Sequence, residues 1–142
     1  MSEFLLQENE LNLLCQELKD SLQNGNIVLL QGNIGSGKTT LVRSFVESFG
    51  YTAQVSSPTF NLALSYENPQ YTNIHHYDMY RKNIHDMLEL GLLDMLEQQG
   101  VHFIEWGEEN LKHLLIQNGF KVISIDITPT PTHHRIYKVS YE

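Results

Sequence analysis

Eight residues, Gly32 to Thr39, limit what this chain can fold into more than any other feature. Ahead of them, Ile27-Val28-Leu29-Leu30 is a purely aliphatic run of the kind buried on both faces of a parallel sheet. Gly32-Asn33-Ile34-Gly35-Ser36-Gly37-Lys38-Thr39 then satisfies the pattern G-x-x-x-x-G-K-[ST]. Behind it, Leu41, Val42, Phe45, Val46 and Phe49 recur at helical spacing as far as Gly50, a C-terminal stop. A strand, a glycine-rich turn and a helix in that order make a phosphate-binding loop. The glycines free backbone N–H groups to point at phosphate oxygens, and the helix N-terminus adds unpaired N–H groups and partial positive charge. Lys38 is expected to reach the β- and γ-phosphates, and the Thr39 hydroxyl to ligate Mg²⁺. The following Thr40 opens the helix beside them.

The rest of the chain reads as one α/β domain over residues 1–142, a length sufficient for a single core. Leu11, Leu14, Cys15, Leu18 and Leu22 form one face of a helix ending near Gly25. The residues before Glu8 fit either an edge strand or a tail. A polar, Pro-marked loop is expected over 51–59 and a period-two strand over 60–66. Tyr71 to Tyr77 reads as the returning strand of an antiparallel hairpin. Met87 to Leu96 carries one or two short helices interrupted near Gly91. Val101-His102-Phe103-Ile104 is a second buried-type strand, followed by a short helix through Leu111 and Leu115. Phe120 to Ile127 and Arg135 to Tyr141 flank a Thr-Pro-Thr-Pro turn, which predicts a hairpin at a sheet edge. The expected architecture is a three-layer fold of the P-loop NTPase type. It has a mostly parallel central sheet, antiparallel hairpin additions and its ligand at the carboxyl ends of the strands.

Charge narrows the function. Nine basic against 17 acidic residues give a net charge of −8, which argues against salt-dependent gripping of nucleic acid by this chain alone. A lone Cys15 on an apolar helix face reads as a core residue. No apolar run approaches membrane-spanning length and no basic-then-apolar leader is evident, so a cytoplasmic location and no membrane partner are expected.

Hydrolysis needs acids near the metal and an ordered water. Glu105 closes an apolar strand, where a second metal-binding acid is expected. Asp78 closes the hairpin's returning strand, from where it would orient a water. Ser56, Ser57 and Thr59 are candidates for a loop near the γ-phosphate, although ordinary turn chemistry explains them as well. Arg81 could lend charge to a transition state, or simply pair at the surface. The pairs His75-His76 and His133-His134 are read as strand neighbours on opposite faces, which cannot chelate together.

Four blocks in order give the chain a family resemblance: Gly32 to Thr40, Ser57-Pro58-Thr59-Phe60, His76-Tyr77-Asp78-Met79-Tyr80-Arg81 and Ile104-Glu105-Trp106. The last two, at these separations, are the specific ones. The chain resembles the TsaE (YjeE-type) family of small bacterial P-loop ATPases from about Glu10 to its C-terminal strands. The resemblance implies a part in making threonylcarbamoyladenosine in tRNA, in which ATP turnover supports a complex of the TsaD and TsaB proteins and tRNA is met only through that complex. It also implies that Lys38 binds phosphate, that Thr39 and Glu105 hold Mg²⁺, that Asp78 belongs to the hydrolytic site and that Trp106 lies beside the nucleotide. Asn33, Ile34 and Leu11 depart from the Asp, Leu and Thr usual in the family. Glu10, next to the last of these, is a weak candidate for an adenine contact.

Three rival functions fit the same loop. A small-molecule kinase would need several basic residues to clamp two sets of phosphates, and only Arg43, Arg81 and Arg135 are present as arginines. A GTP-driven switch would need an Asn-Lys-x-Asp block, which is missing. A nucleotide-bound scaffold would hydrolyse only incidentally.

Overall fold

A computed structural model of the chain describes residues 2–22, 26–33, 35, 37–51, 63–67, 70–80, 82–106 and 108–141. Seven strands form one sheet in the order β1-β7-β6-β2-β5-β4-β3. They are β1 (Ser2–Leu6), β2 (Ile27–Gln31), β3 (Ala63–Tyr66), β4 (Ile74–Asp78), β5 (Val101–Glu105), β6 (Val122–Pro129) and β7 (Arg135–Tyr141). The helices are α1 (Leu11–Ser21), α2 (Lys38–Ser48), α3 (Ile84–Glu89), α4 (Leu92–Leu96) and α5 (Glu109–Gln117). Strands β6, β2, β5 and β4 are parallel, while β1–β7, β7–β6 and β3–β4 pair antiparallel. This is the mixed sheet the sequence predicts, parallel at its centre with antiparallel additions.

Side-chain parity divides the core between two faces of the sheet. Val28 and Leu30 of β2, Ile74 of β4 and Val101 and Phe103 of β5 pack with Leu14, Cys15 and Leu18 of α1 and Leu41, Val42, Phe45 and Val46 of α2. Ile27 and Leu29 of β2, Tyr77 of β4 and Ile104 of β5 pack instead with Met87 of α3, Leu92 and Leu96 of α4 and Leu111 and Leu115 of α5. The result is three layers. Cys15 is fully buried in the first of these clusters, and burial pushes its thiol up to about 12. Among the described residues, no helix is long and apolar enough to cross a membrane.

Some boundaries and neighbours differ from the sequence reading. Helix α1 stops at Ser21, and β4 begins at Ile74 rather than Tyr71. The β6–β7 hairpin exists, but it is not at the edge: β6 lies inside the sheet beside β2, and β1 covers β7. Ser2 to Leu6 is therefore a strand, and it supplies hydrogen-bond partners to β7 that the hairpin alone would leave open. The loop expected over 51–59 and the start of the strand over 60–66, with Ser56, Ser57 and Thr59, lie outside the described residues, as does Arg81.

At the opposite ends of β4 and β5 from their terminal acids, His75 and His102 stack with ring centroids 4.6 Å apart. Tyr77 Oη lies 2.8 Å from His102 Nδ1, and His102 Nε2 lies 2.8 Å from the carbonyl of Gln98. Burial lowers His102 to about 4, opposed by the hydrogen bond to Gln98 and reinforced by neighbouring His75. Its folded value is below the ordinary 6.5, so the stability this neutral histidine preserves is full above pH 6.5 and is lost as pH falls toward about 4. Just beside it, Gly100 adopts φ +132°, and a Cβ there would lie 2.5 Å from the carbonyl oxygen of Asn73. That carbonyl accepts from Val101 N–H at 2.9 Å, so Gly100 lets the chain entering β5 close on the chain entering β4.

Two outcomes are expected in urea denaturation. Gly100→Ala should cost more than the roughly 1–3 kcal/mol of a strained residue, because backbone must move as well. The control Gly119→Ala, at φ +85° with nothing within 4 Å, should cost only the conformational part; equal losses would deny the close approach a role. Between pH 6.5 and 4, wild type should lose up to about 3 kcal/mol more than His102→Asn, measured as the difference of the two pH profiles.

Candidate functional site

The sheet register brings distant acids together. Asp78 is the direct neighbour of Glu105 across β4 and β5, and Leu30 is its neighbour across β2 and β5. By parity, Asp78 shares the face of Ile74, and Glu105 the face of Val101 and Phe103, which is the side on which α2 packs. Helix α2 begins at Lys38, immediately after the turn that leaves β2. Gly37 caps it at φ +104°, a left-handed conformation that suits glycine. A cavity of about 440 Å³ at this end of the sheet is lined by Gly35, Gly37, Lys38, Thr39 and Thr40 from the loop and helix, with Asp78, Tyr80, Glu105, Trp106 and Arg135 from elsewhere. Ile34 and Ser36 of the loop lie outside the described residues.

Lys38 is only 5% exposed. Its Nζ donates to the carbonyl of Gly32 at 2.6 Å and to that of Asn33 at 3.1 Å, and it stands 3.8 Å from the centroid of the Trp106 ring. Burial lowers its pKa, while Glu105 and Asp78 oppose that shift. Thr39 Oγ1 lies 2.9 and 3.1 Å from the two carboxylate oxygens of Glu105 and donates to them. Glu105 is itself buried, and its Oε2 also meets Nε2 of the fully buried His76. Donation from His76 Nε2 leaves its Nδ1 without a partner. Asp78 accepts from the backbone N–H of Tyr80 at 2.9 Å through Oδ1. Trp106 has φ +66°, its N–H bonds the carbonyl of Leu30, and its ring lies 4.7 Å from that of Tyr80.

The donor set fits Mg²⁺. Among the described residues no group of three or more His, Cys, Asp or Glu could hold a metal alone. Mg²⁺ does not require one, because it binds through one or two hard oxygen ligands together with substrate phosphates and water. A hydroxyl and a carboxylate already within hydrogen-bond distance are such a pair.

Two features escaped the sequence. His76 was read as part of a motif and as a strand neighbour of His75 that cannot chelate with it, yet it shares the parity of Asp78 two residues on, and that spacing is the signal for its face. Arg135 was counted only as a scarce arginine, and nothing local marks it. A methyl placed on Gly37 would sit 3.3 Å from Arg135 Nη1. The histidine pairs also separate: His75 contacts Ser65 and Gln99, whereas His76 contacts Glu105. His133 and His134 precede β7 rather than lying on it, and His134 approaches Gln7 at 3.3 Å. Glu10 contacts the backbone N–H of Gln7 at 2.9 Å and is not among the residues lining either this cavity or the one that adjoins it.

Comparison with known proteins completes the picture. The family model described as "TsaE: Threonylcarbamoyl adenosine biosynthesis protein TsaE" matches residues 5–137. The chain is 41% identical over 110 residues to the tRNA threonylcarbamoyladenosine biosynthesis protein TsaE of Rickettsia felis, a match covering 76% of this chain and 63% of that protein. It is 40% identical to the protein of the same name from Rickettsia typhi over 76% of this chain and 74% of the relative. The chain thus spans under two thirds of the length of the first relative and about three quarters of the second. The crystal structure of Bacillus subtilis YdiB superposes with a TM-score of 0.69 at 23% identity, covering 99% of this chain and 83% of that one, a likeness of fold. The phosphate-loop strand and helix, the two strand-end acids and the Trp beside them fall inside the matched span, and this chain belongs to the TsaE family of threonylcarbamoyl adenosine biosynthesis proteins.

Proposed function

We propose that this protein binds and hydrolyses ATP with Mg²⁺ as part of the machinery that makes threonylcarbamoyladenosine in tRNA. Its turnover serves a complex of TsaD- and TsaB-type partners, and tRNA is met through them. Residues 1–142 act as one P-loop ATPase domain, with a cytoplasmic location. The observation that carries this reading is that Lys38, Thr39, Asp78 and Glu105 line one cavity behind a phosphate-loop turn.

The roles follow from the chemistry of each group. Backbone N–H groups of the loop, from Gly32, Asn33, Ile34, Gly35, Ser36 and Gly37 into Lys38, Thr39 and Thr40, take the α- and β-phosphates. Lys38 exchanges two carbonyls and an indole face for the β- and γ-phosphates, a stronger charge-assisted contact for a buried ammonium. Thr39 and Glu105 would hold Mg²⁺, which when bound neutralises charge developing on the phosphates. Asp78, level with Glu105 on the neighbouring strand, accepts a hydrogen bond from water and orients it toward the γ-phosphate. His76 holds one oxygen of the Glu105 carboxylate and so fixes the direction of the other. A larger cavity of about 800 Å³ adjoins this one, and Thr40 and Arg135 line both. It has room for ribose and base, between α2 and the loop that leads into β7.

Two measurements test the reading. Trp106 is the only Trp, and Lys38 stands over its ring. ATP titration should therefore change its emission saturably, and Lys38→Ala should abolish the response; an emission indifferent to ATP, ADP and GTP would sink nucleotide binding at this cavity. Metal-dependent ATP hydrolysis, measured with the TsaD–TsaB-type partners present, should fall by at least about 10- to 100-fold in Glu105→Ala and in Asp78→Ala. Undiminished rates in both variants would remove the hydrolytic assignment. Phosphorylation of a small acceptor without partners would favour the kinase instead, and full function in Lys38→Ala would favour the scaffold.

A further inference from the structure

His76 places a fully buried imidazole on a single polar contact. Its backbone lies in the middle of β4, paired with Phe103 of β5 on one side and Leu64 of β3 on the other. Its side chain shares the face of Asp78, and diagonally across the strand pair it reaches Glu105, two residues beyond Phe103. Nε2 meets Glu105 Oε2, and among the described residues Nδ1 has no partner. A buried ring nitrogen left open is unfavourable, so the fold tolerates this ring for its hold on one oxygen of one carboxylate.

A glutamate carboxylate turns about its last bond, and its two oxygens are equivalent until something tells them apart. His76 does so. Oε2 carries His76 Nε2 and the shorter contact to Thr39 Oγ1, at 2.9 Å, whereas Oε1 has the longer one, at 3.1 Å. An oxygen with two lone-pair sites is thus filled at Oε2 and keeps one site open at Oε1. Thr39 lines the cavity and is free to turn its hydroxyl toward a metal, whereas His76 is enclosed behind the cavity wall and keeps its oxygen. The number of oxygens that a carboxylate offers discriminates between divalent cations. Ca²⁺ takes about six to eight oxygens in flexible geometry and accepts both oxygens of one carboxylate, whereas Mg²⁺ demands a tight octahedron that the narrow bite of a single carboxylate does not fit. We infer that His76 is a positioning residue that makes the site selective for Mg²⁺ over Ca²⁺: by keeping Oε2 it confines Glu105 to one metal-facing oxygen. This rests on the reading of Thr39 and Glu105 as metal ligands and names the residue that decides which ion they prefer.

The test measures binding of a non-hydrolysable ATP analogue by calorimetry, with Trp106 emission as a second readout, under saturating Mg²⁺, saturating Ca²⁺ or EDTA. Wild type, His76→Phe and His76→Gln are compared, with thermal midpoints recorded for all three. Phe fills the space without a donor, and Gln supplies an N–H donor on a flexible stem. In wild type the analogue should bind more tightly with Mg²⁺ than with Ca²⁺. In His76→Phe that preference should shrink by about 10-fold or more, chiefly through tighter binding with Ca²⁺, and His76→Gln should restore part of it. A merely structural role would lower both affinities together and leave their ratio within twofold of wild type, which would overturn the inference, as would a wild type indifferent to the choice of ion. Should His76→Phe not fold, His76→Leu also lacks the donor and is read in the same way. Wild-type binding that EDTA leaves unchanged would reject Thr39 and Glu105 as metal ligands, and this inference with them, and no binding under any condition would reject the nucleotide-binding reading itself. Metal-dependent binding in wild type with an unmoved ratio in His76→Phe rejects only the inference about His76.

Discussion

A buried carboxylate has to be compensated, and Glu105 is the point on which this end of the molecule turns. It is 4% exposed at the end of a central strand, where a charge without partners would cost several kcal/mol. Two partners come from two other elements: the Thr39 hydroxyl from the first turn of α2, and the His76 ring from β4. Satisfying one acid therefore ties β5 to the helix behind the glycine turn on one side and to the neighbouring strand on the other. The parallel register does the rest. With Leu30, Glu105 and Asp78 side by side across β2, β5 and β4, the loop that leaves β2 faces both acids without any adjustment of the sheet.

Much of this was legible in the sequence, and the reasons are local. The aliphatic run at Ile27–Leu30, the glycine turn and the apolar face of α2 each fix an element within a few residues, so the core of the site could be read directly. The two acids were legible as strand ends, because an apolar run that stops at a carboxylate marks where the strand ends, although Glu105 itself stays buried. Pairing between strands far apart in the chain was not. Alternation shows that Val122–Pro129 is a strand but not which strands flank it, so β6 was expected at an edge and lies inside the sheet, screened by β7 and then by β1. Tyr71 to Asn73 have strand-like composition yet precede β4, because pairing with β5 begins only at Ile74 with Val101. His76 could have been found from its two-residue spacing to Asp78. Arg135 could not, since it approaches Gly37 across about a hundred residues of intervening chain, through a sheet order that no short window encodes.

The chain carries a net charge of −8, yet both cavities beside the phosphate loop hold cations together with acids. Lys38 and Arg135 line one, and Arg43 and Arg135 the other. Local field, set by fixed donors and by the loop's N–H groups, decides what enters a cleft, whereas total charge governs what the whole surface attracts from afar. Net charge and the charges that line the recess are thus separate properties. The lowered pKa of Lys38 belongs to the same picture: its ammonium has lost water to burial and recovers only part of that loss from Glu105 and Asp78.

Trp106 and Tyr80 give the recess an aromatic wall one ring thick. Trp106 is held by a left-handed backbone and by its backbone N–H bond to the Leu30 carbonyl, with the Lys38 ammonium against its ring and the Tyr80 ring 4.7 Å away. Tyr80 is 37% exposed. Anything pressed against the outer phenol thereby meets the buried Lys38 amine across two aromatic rings in contact, with no backbone between them.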